Sequence, residues 1–274
     1  MIIDFHTHTF PDKIADKTIA YLSEKGKVKA QTKGTLSALK DSMQKAGVNL
    51  SVILPVATAP KQVESINRTA CELNGKNGIL YAGAIHPDCK NIDEILDTVK
   101  AYGLFGVKIH PDYQEVYFDD ERYLNIMEKA AARGLITVTH AGKDVGYPDT
   151  IRCTPDRVLN VLDRLRGVID NKLVLAHMGG CDMPDEVLEK LIGKPVYMDT
   201  SFVLNRYYDK CREIMMRHGT DKILFATDSP WANQAEFVRL IHSFGFSDAE
   251  EAKIFCQNAE KLLHISPENH RYRN

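Results

Sequence analysis

Ile2-Ile3-Asp4-Phe5-His6-Thr7-His8 is an apolar run that ends in two histidines. Ile2, Ile3 and Phe5 give it the character of a β-strand. Residues two apart on a strand project to one face, so His6 and His8 present two imidazoles side by side, with Asp4 deeper on that face. Neutral imidazole is a ligand for zinc and its neighbours, which makes the pair half of a metal site. An isolated His-x-His is as often a surface pair, so the rest of the chain decides.

Runs of the same kind recur. With the first at 2–5, they lie at 50–56, 79–85, 106–109, 135–139, 173–176, 196–199 and 223–226. Each is short and nearly continuous in apolar character, as strands buried on both faces are. Amphipathic helical segments separate them. Leu36, Leu39, Met43 and Ala46 share one helical face, as do Ile92, Ile95, Leu96 and Val99. Tyr123, Ile126, Met127 and Ala130 make a third stripe, and Val158, Val161, Leu162 and Leu165 a fourth. Stripes like these pack a core, and Gly47, Gly103, Gly134 and Gly219 fall where the helices should end.

Eight strands alternating with helices predict an α/β fold with a parallel sheet, and eight is the number that closes a (β/α)8 TIM barrel. The alternative is an open doubly wound sheet, but no Gly-x-Gly-x-x-Gly turn follows the first strand. No linker or low-complexity stretch divides the chain, so residues 1–274 are read as one domain. An extra C-terminal helix is expected over 248–263, with Ser247 as N-cap and Glu250 completing a capping box.

Composition narrows the classes. The 274 residues are 44% apolar and 26% charged, the profile of an ordinary globular protein. A formal net charge of −2 offers no basic patch for nucleic acid and no polybasic signal for a membrane surface. No apolar run approaches the roughly 20 residues of a membrane span, and no signal-like segment stands at the N-terminus. Cys71, Cys89, Cys153, Cys181, Cys211 and Cys256 form no Cys-x-x-Cys and read as reduced packing thiols. The expected location is the cytoplasm and the expected partner a small-molecule substrate, with a homodimer left open.

The polar residues converge once placed on the barrel. His6 and His8 end the first strand, His86 the third, Lys108 and His110 the fourth, His140 the fifth, His177 the sixth and Asp228 the eighth. All lie at C-terminal strand ends, the face where such barrels keep their active sites. His218, His242, His264 and His270 fall on helices or in the tail. Random placement does not favour that division, so the strand-end set is read as a metal site rather than as scattered core histidines.

These residues resemble the amidohydrolase superfamily, in particular its amidohydrolase-2 type members. The likeness is carried by Asp4-Phe5-His6-Thr7-His8 and by Gly106-Val107-Lys108-Ile109-His110-Pro111 with Gln114. It continues through Thr139-His140-Ala141-Gly142, Ala176-His177-Met178-Gly179-Gly180, Ala226-Thr227-Asp228-Ser229-Pro230-Trp231 and Asn258-Ala259-Glu260-Lys261-Leu262-Leu263. Each motif alone is weak, but the ordered set spans the chain. By that resemblance His6, His8, His140 and Asp228 bind one divalent metal ion, zinc first, with manganese or iron as alternatives. Such a donor set leaves an open position for water. Asp228 would then serve as general base, and His177 would polarise the substrate carbonyl or ligate a second metal.

Lys108 is ambiguous. In binuclear members of the superfamily the strand-four lysine is carboxylated and bridges two ions. The Lys-x-His-Pro pattern favours one principal ion, with Lys108 and His110 near the substrate; a salt-bridged lysine is the plain alternative. Asp4 and Asp199 are expected to orient an imidazole or nearby backbone, and His86 to form pocket wall. Arg152 or Arg206 could grip a substrate carboxylate, with Trp231 and loop tyrosines covering a ring. Members include hydrolases of amides and lactones as well as non-oxidative decarboxylases, which share these motifs. A non-catalytic metal-binding protein is the remaining reading, disfavoured because structural metal sites are usually closed by four firm ligands.

Overall fold

The apolar runs form a ring of parallel strands in the computed structural model, which describes residues 1–265. The strands are β1 (Ile3–Thr7), β2 (Leu50–Ile53), β3 (Ile79–Tyr81), β4 (Gly83–Ala84), β5 (Gly106–Ile109), β6 (Ile136–Thr139), β7 (Leu173–Leu175), β8 (Tyr197–Asp199) and β9 (Ile223–Leu224). They pair in the order β1-β2-β3 and β4-β5-β6-β7-β8-β9, all parallel. β3 and β4 are two halves of the expected run 79–85, parted at Ala82, so the strand passes from one neighbour to the next. The last strand returns to the first. Phe5 N–H donates to Phe225 O (2.9 Å), Asp228 N–H to His6 O (2.8 Å) and His8 N–H to Ser229 O (2.6 Å). These bonds join the two ends of the strand order into a TIM-barrel ring.

Helices fill the connections: α1 (Asp12–Gly26), α2 (Leu36–Ala46), α3 (Val63–Leu73), α4 (Ile92–Ala101), α5 (Glu121–Ala132) and α6 (Pro155–Arg164). They continue with α7 (Pro184–Lys190), α8 (Tyr208–His218), α9 (Gln234–Ser243), α10 (Asp248–Ala252) and α11 (Asn258–Leu263). Two apolar layers result. Inside the ring, Ile3, Phe5, Val52, Val138, Val174 and Leu224 pack together with Leu262 and Leu263 of α11. Outside it, alternate residues such as Val107, Ile109, Leu173 and Leu175 meet the stripes of α4, α5 and α6. The four stripes read from the sequence lie on α2, α4, α5 and α6, with α6's last member, Leu165, as its cap. Among the described residues no helix is long and apolar enough to cross a membrane.

Two expectations change. The helix over 248–263 is interrupted by a π turn at Lys253–Gln257, although Ser247 and Glu250 do form the capping box. There Asn258 N–H reaches back to Lys253 O, and Ile254 O accepts Phe225 N–H (2.9 Å), pinning the helix to the barrel seam. Asp4 does not share a face with the histidine pair. The β1–β2 register runs Ile3↔Leu50, Asp4↔Ser51 and then Thr7↔Ile53, so β1 carries one extra residue. Asp4 is thereby turned to Thr227 and to Gln234 of α9.

Candidate active site

His6 and His8 leave the bulged end of β1 with their rings nearly perpendicular (74°) and their Nε2 atoms 3.1 Å apart. Asp228 comes from the turn after β9. Its Oδ1 lies 3.1 Å from His8 Nε2 and 3.5 Å from His6 Nε2. Three ligand atoms thus form a small triangle. Donors bound at about 2.0–2.1 Å around a tetrahedral zinc lie about 3.3 Å from one another, so the triangle has the edges such an ion requires. The lone pairs of two crossed imidazoles can meet at one point, and the carboxylate adds charge. The donor set fits a divalent metal ion.

Asp199 and Ser201, at the end of β8, hold the cluster from behind. Asp199 Oδ2 lies 2.8 Å from His6 Nδ1, and its Oδ1 accepts the His177 N–H (2.9 Å) and the Ser201 hydroxyl (2.5 Å). Burial, with the charge of Lys108 adding to it, pushes the His6 imidazole down to about 3, so the ring is neutral. Asp199 is held well below the usual carboxylate range: the cost of burial is outweighed by His6, by His177 and by the Ser201 hydroxyl. A neutral His6 with its Nδ1 proton on Asp199 presents a bare Nε2 to the triangle. Asp228 is likewise held down, the cost of burial being outweighed by His8 and His6.

His140 and His177 form a second layer. His140 Nδ1 faces His177 Nε2 at 3.0 Å, and His177 Nδ1 contacts Ser201 O (3.1 Å) and Ser201 Oγ (2.9 Å). The other nitrogen of His140, Nε2, is buried without a hydrogen-bond partner. It lies 3.8 Å from Asp112 Oδ2, which is also unpartnered. His140 is therefore not drawn into the triangle of His6, His8 and Asp228, but is joined to it through His177. A separate trio of His110, His140 and Asp144 has ligand atoms close together. The His110 and His140 rings, however, stack 4.4 Å apart and within 14° of parallel. Imidazole lone pairs lie in the ring plane, and two stacked planes share no nearby point, so this trio is a stack rather than a chelate.

Lys108 is buried on β5 and makes no hydrogen bond or ion pair among the described residues. Burial lowers its amine to about 8, against the attraction of Asp199 and Asp228. His110 lies 3.6 Å from Asp144 Oδ2 and takes the edge of Tyr113 at 4.5 Å. Gln114 ties the site's floor together: its amide donates to Ala57 O (2.9 Å) and Ile85 O (2.7 Å), and its Oε1 accepts from His110 N–H (3.1 Å) and the Tyr123 hydroxyl (2.7 Å).

Arg206 is engaged by a carboxylate, whereas Arg152 Nη1 is buried without a hydrogen-bond partner. Arg152 Nη1 sits 3.6 Å from Asp112 Oδ1, and Arg206 Nη2 donates to Asp182 Oδ1 at 3.1 Å. Trp231 lies three residues after Asp228 and is half-buried, its backbone N–H donating to Asp228 O (2.8 Å). His86 turns to its own loop, where Nδ1 accepts Asp88 N–H at 3.2 Å. His218 is a core histidine bonded to Val196 O (2.9 Å), and His242 pairs with Glu251 on the surface (2.7 Å). His264 caps α11 in a left-handed conformation, and His270 lies outside the described residues.

Ser201, Asp112 and Asp144 were not singled out by sequence. Their one signal was a polar residue just beyond a strand that already ended in a candidate. Backbone strain marks other residues of the site. His177 (φ 57), Met178 (φ 55) and Asp228 (φ 68) occupy the left-handed region, which side-chain-bearing residues avoid at a cost of about 1–2 kcal/mol each.

A parallel barrel with a histidine–aspartate cluster at its C-terminal mouth defines a class of barrel enzymes, and comparison gives the family. The family model described as Amidohydrolase matches residues 3–265. The chain belongs to the amidohydrolase family and is an enzyme of that superfamily. No curated protein matches it. Among solved structures it is similar to 2,6-dihydroxybenzoate decarboxylase from Rhizobium, at 16% identity and TM-score 0.71, covering 96% of this chain and 98% of that one. It is similar to a Polaromonas dihydroxybenzoic acid decarboxylase with bound manganese and the inhibitor 2-nitroresorcinol (15% identity, TM-score 0.72, 96% and 97% covered). A probable 2-pyrone-4,6-dicarboxylic acid hydrolase from Acinetobacter baumannii, with citric acid bound, shares the fold at 14% identity and TM-score 0.68, covering 96% and 99%.

Proposed function

We propose that this chain is a metal-dependent hydrolase of a small carbonyl compound, such as an amide or lactone. The observation that carries the reading is the triangle of His6 Nε2, His8 Nε2 and Asp228 Oδ1, with separations of 3.1, 3.1 and 3.5 Å. We assign His6, His8 and Asp228 to one divalent ion; His140, whose Nδ1 faces His177, would have to turn from that contact to become a further ligand. Zinc comes first, and manganese or iron also suits imidazole with carboxylate. The ion would supply Lewis acidity, which lowers the pKa of water and polarises a carbonyl.

The chain's own groups do the rest. Asp228, ionised and at the open edge of the triangle, takes a proton from water and returns it to the leaving group. His177, positioned through Nδ1 by Ser201, stabilises charge developing on the carbonyl oxygen. Lys108 acts as a free amine facing the substrate, with His110 beside it and Trp231 at the rim. The stacked rings of His110 and His140 support one ion rather than a carbamate-bridged pair.

Decarboxylation of an aromatic or unsaturated acid on the same site is the second reading, favoured by the fold's likeness to dihydroxybenzoate decarboxylases. The pairing of Arg206 with Asp182 takes up one of the two residues expected to grip the departing carboxylate, and Asp112 beside Arg152 opposes a second anion there, which favours hydrolysis. The test is a panel of lactones, amides and aromatic acids on zinc-loaded and manganese-loaded protein. Oxygen-18 from solvent in the product establishes hydrolysis; carbon dioxide without solvent oxygen replaces it with decarboxylation. Protein that takes up neither metal and whose melting temperature neither metal shifts overturns the metal assignment.

A further inference from the structure

Asp4 is wholly buried in β1, and each hydrogen bond to its carboxyl comes from a donor. Oδ1 takes the backbone N–H groups of Thr227 (3.0 Å) and His6 (3.3 Å). Oδ2 takes the Thr227 hydroxyl (2.6 Å) and the side-chain amide of Gln234 (2.8 Å). Among the described residues no lysine, arginine or histidine side chain lies within ion-pair distance of it. A carboxyl in the barrel wall with no cation facing it is a costly way to brace a strand, since apolar side chains fill such places without that cost.

Two of the four bonds lead to Thr227, the residue before Asp228. The Thr227 hydroxyl has one proton and gives it to Asp4, which leaves its lone pairs for the N–H of Ser229 (3.1 Å). One hydroxyl thus joins the residue before Asp228 to the residue after it, and Asp4 decides which way that hydroxyl points. Asp228 sits between them in the left-handed region (φ 68), a conformation that a residue with a Cβ disfavours. Among the described residues the Asp228 carboxylate has polar side-chain partners in His8 (3.1 Å) and His6 (3.5 Å) alone. Its aim at them is therefore inherited from the backbone at 227–229.

We propose that Asp4 is a positioning residue that acts through the Thr227 hydroxyl: it locks the strained turn that aims Asp228 at the two imidazoles, and so sets the geometry of the triangle from outside it. The inference rests on reading His6, His8 and Asp228 as the metal site. Asp4 and Thr227 touch neither metal nor substrate in this scheme. A brace that merely closed the barrel would raise the melting temperature and leave the geometry of the triangle alone.

The probe is cobalt(II), which takes imidazole and carboxylate ligands as zinc does and whose visible absorption bands change with coordination geometry. It is titrated into metal-free wild type, Thr227→Ser, Thr227→Val, Asp4→Asn and the Asp4→Asn, Thr227→Val double variant. Crystals of metal-free wild type and Thr227→Val are compared alongside. Thr227→Val keeps the shape of the side chain and loses the hydroxyl. It should bind cobalt about 10–100-fold more weakly, with altered bands, and its Asp228 Oδ1 should stand farther from His8 Nε2. Thr227→Ser should match wild type in affinity and bands. Asp4→Asn should behave as Thr227→Val does, because an amide nitrogen at that place donates to the hydroxyl and turns it. Combined, the two changes should be far from additive. Wild-type affinity and bands in Thr227→Val, an equal loss in Thr227→Ser, or full additivity overturns the proposal. Wild type that takes up no cobalt overturns the metal reading instead; the metal-free crystals then decide the positioning, and an unmoved Asp228 carboxylate in Thr227→Val overturns it.

Discussion

Asp199 Oδ2 stands 2.8 Å from His6 Nδ1 while Asp199 Oδ1 takes the backbone N–H of His177, so one carboxylate at the end of β8 sets two histidines at once. It fixes the His6 tautomer and the strained turn at His177 together. Replacing Asp199 by Asn removes the charge that favours the Nδ1 proton. Metal affinity should fall about 10–100-fold, as measured by competition with a chelator, with the fold intact by circular dichroism. Unchanged affinity would detach Asp199 from the metal site.

A parallel argument applies to Asp112. Its unpartnered Oδ2 faces the unpartnered His140 Nε2 at 3.8 Å, two buried atoms that a small shift on metal binding would bring into contact. Burial, with Asp144 adding to it, raises the Asp112 carboxyl to about 7. Asp112→Asn should weaken metal binding by about tenfold, and a zinc titration by calorimetry reads the loss directly. If His140 is no ligand, the substitution will leave zinc affinity where it was.

Asp228→Asn should abolish turnover on any active substrate, because an amide accepts no proton in the role assigned to the carboxylate. His177→Ala should cost about 100–1000-fold in kcat, the range for removing one group that stabilises developing charge. Steady-state rates on metal-loaded protein check both, and full activity in Asp228→Asn would remove the mechanism.

Much of this was readable from residue order. Eight apolar runs supplied the barrel, and polar side chains at their C-terminal ends supplied the cluster, because strand periodicity and strand ends are local properties. What escaped was non-local. The extra residue in β1 that separates Asp4 from His6 leaves no mark on a run of alternating residues. The partners of Arg152 and Arg206 come from other loops, at Asp112 and Asp182. α1 escaped because it buries so little that no apolar stripe announces it.

His110 gives a pH dependence. Burial, then the charge of Lys108, pushes its imidazole well below the ordinary value. The unfolded chain takes up a proton below about 6.5 and the folded chain does not, so this group's contribution is complete above that pH and declines as pH falls. Relative to His110→Gln, wild type should lose about 1.4 kcal/mol of unfolding free energy per pH unit below 6.5. Urea titrations at pH 7, 6 and 5 measure the difference; a gap that does not change with pH would contradict a neutral buried ring.

Gly142, two residues after His140, has φ +84, and a Cβ there would lie 2.1 Å from Cys181 N. Its backbone is bridged to both Cys153 and Cys181, which stitches the loop after β6 to the loop after β7. Gly142→Ala should cost about 2–4 kcal/mol, from strain and forced separation of backbones. A melting temperature within about a degree of wild type would show that the two loops move apart freely.

One of the bonds that close the ring, from Asp228 N–H to His6 O, joins two members of the triangle proposed to hold the metal. The seam of the barrel and the heart of the site are one place. His6 and His8 precede Asp228 in the chain, so the two imidazoles wait for the carboxylate that completes them until the last strand pairs with the first. An ion held by all three groups of the proposed site would therefore require that the last strand has found the first.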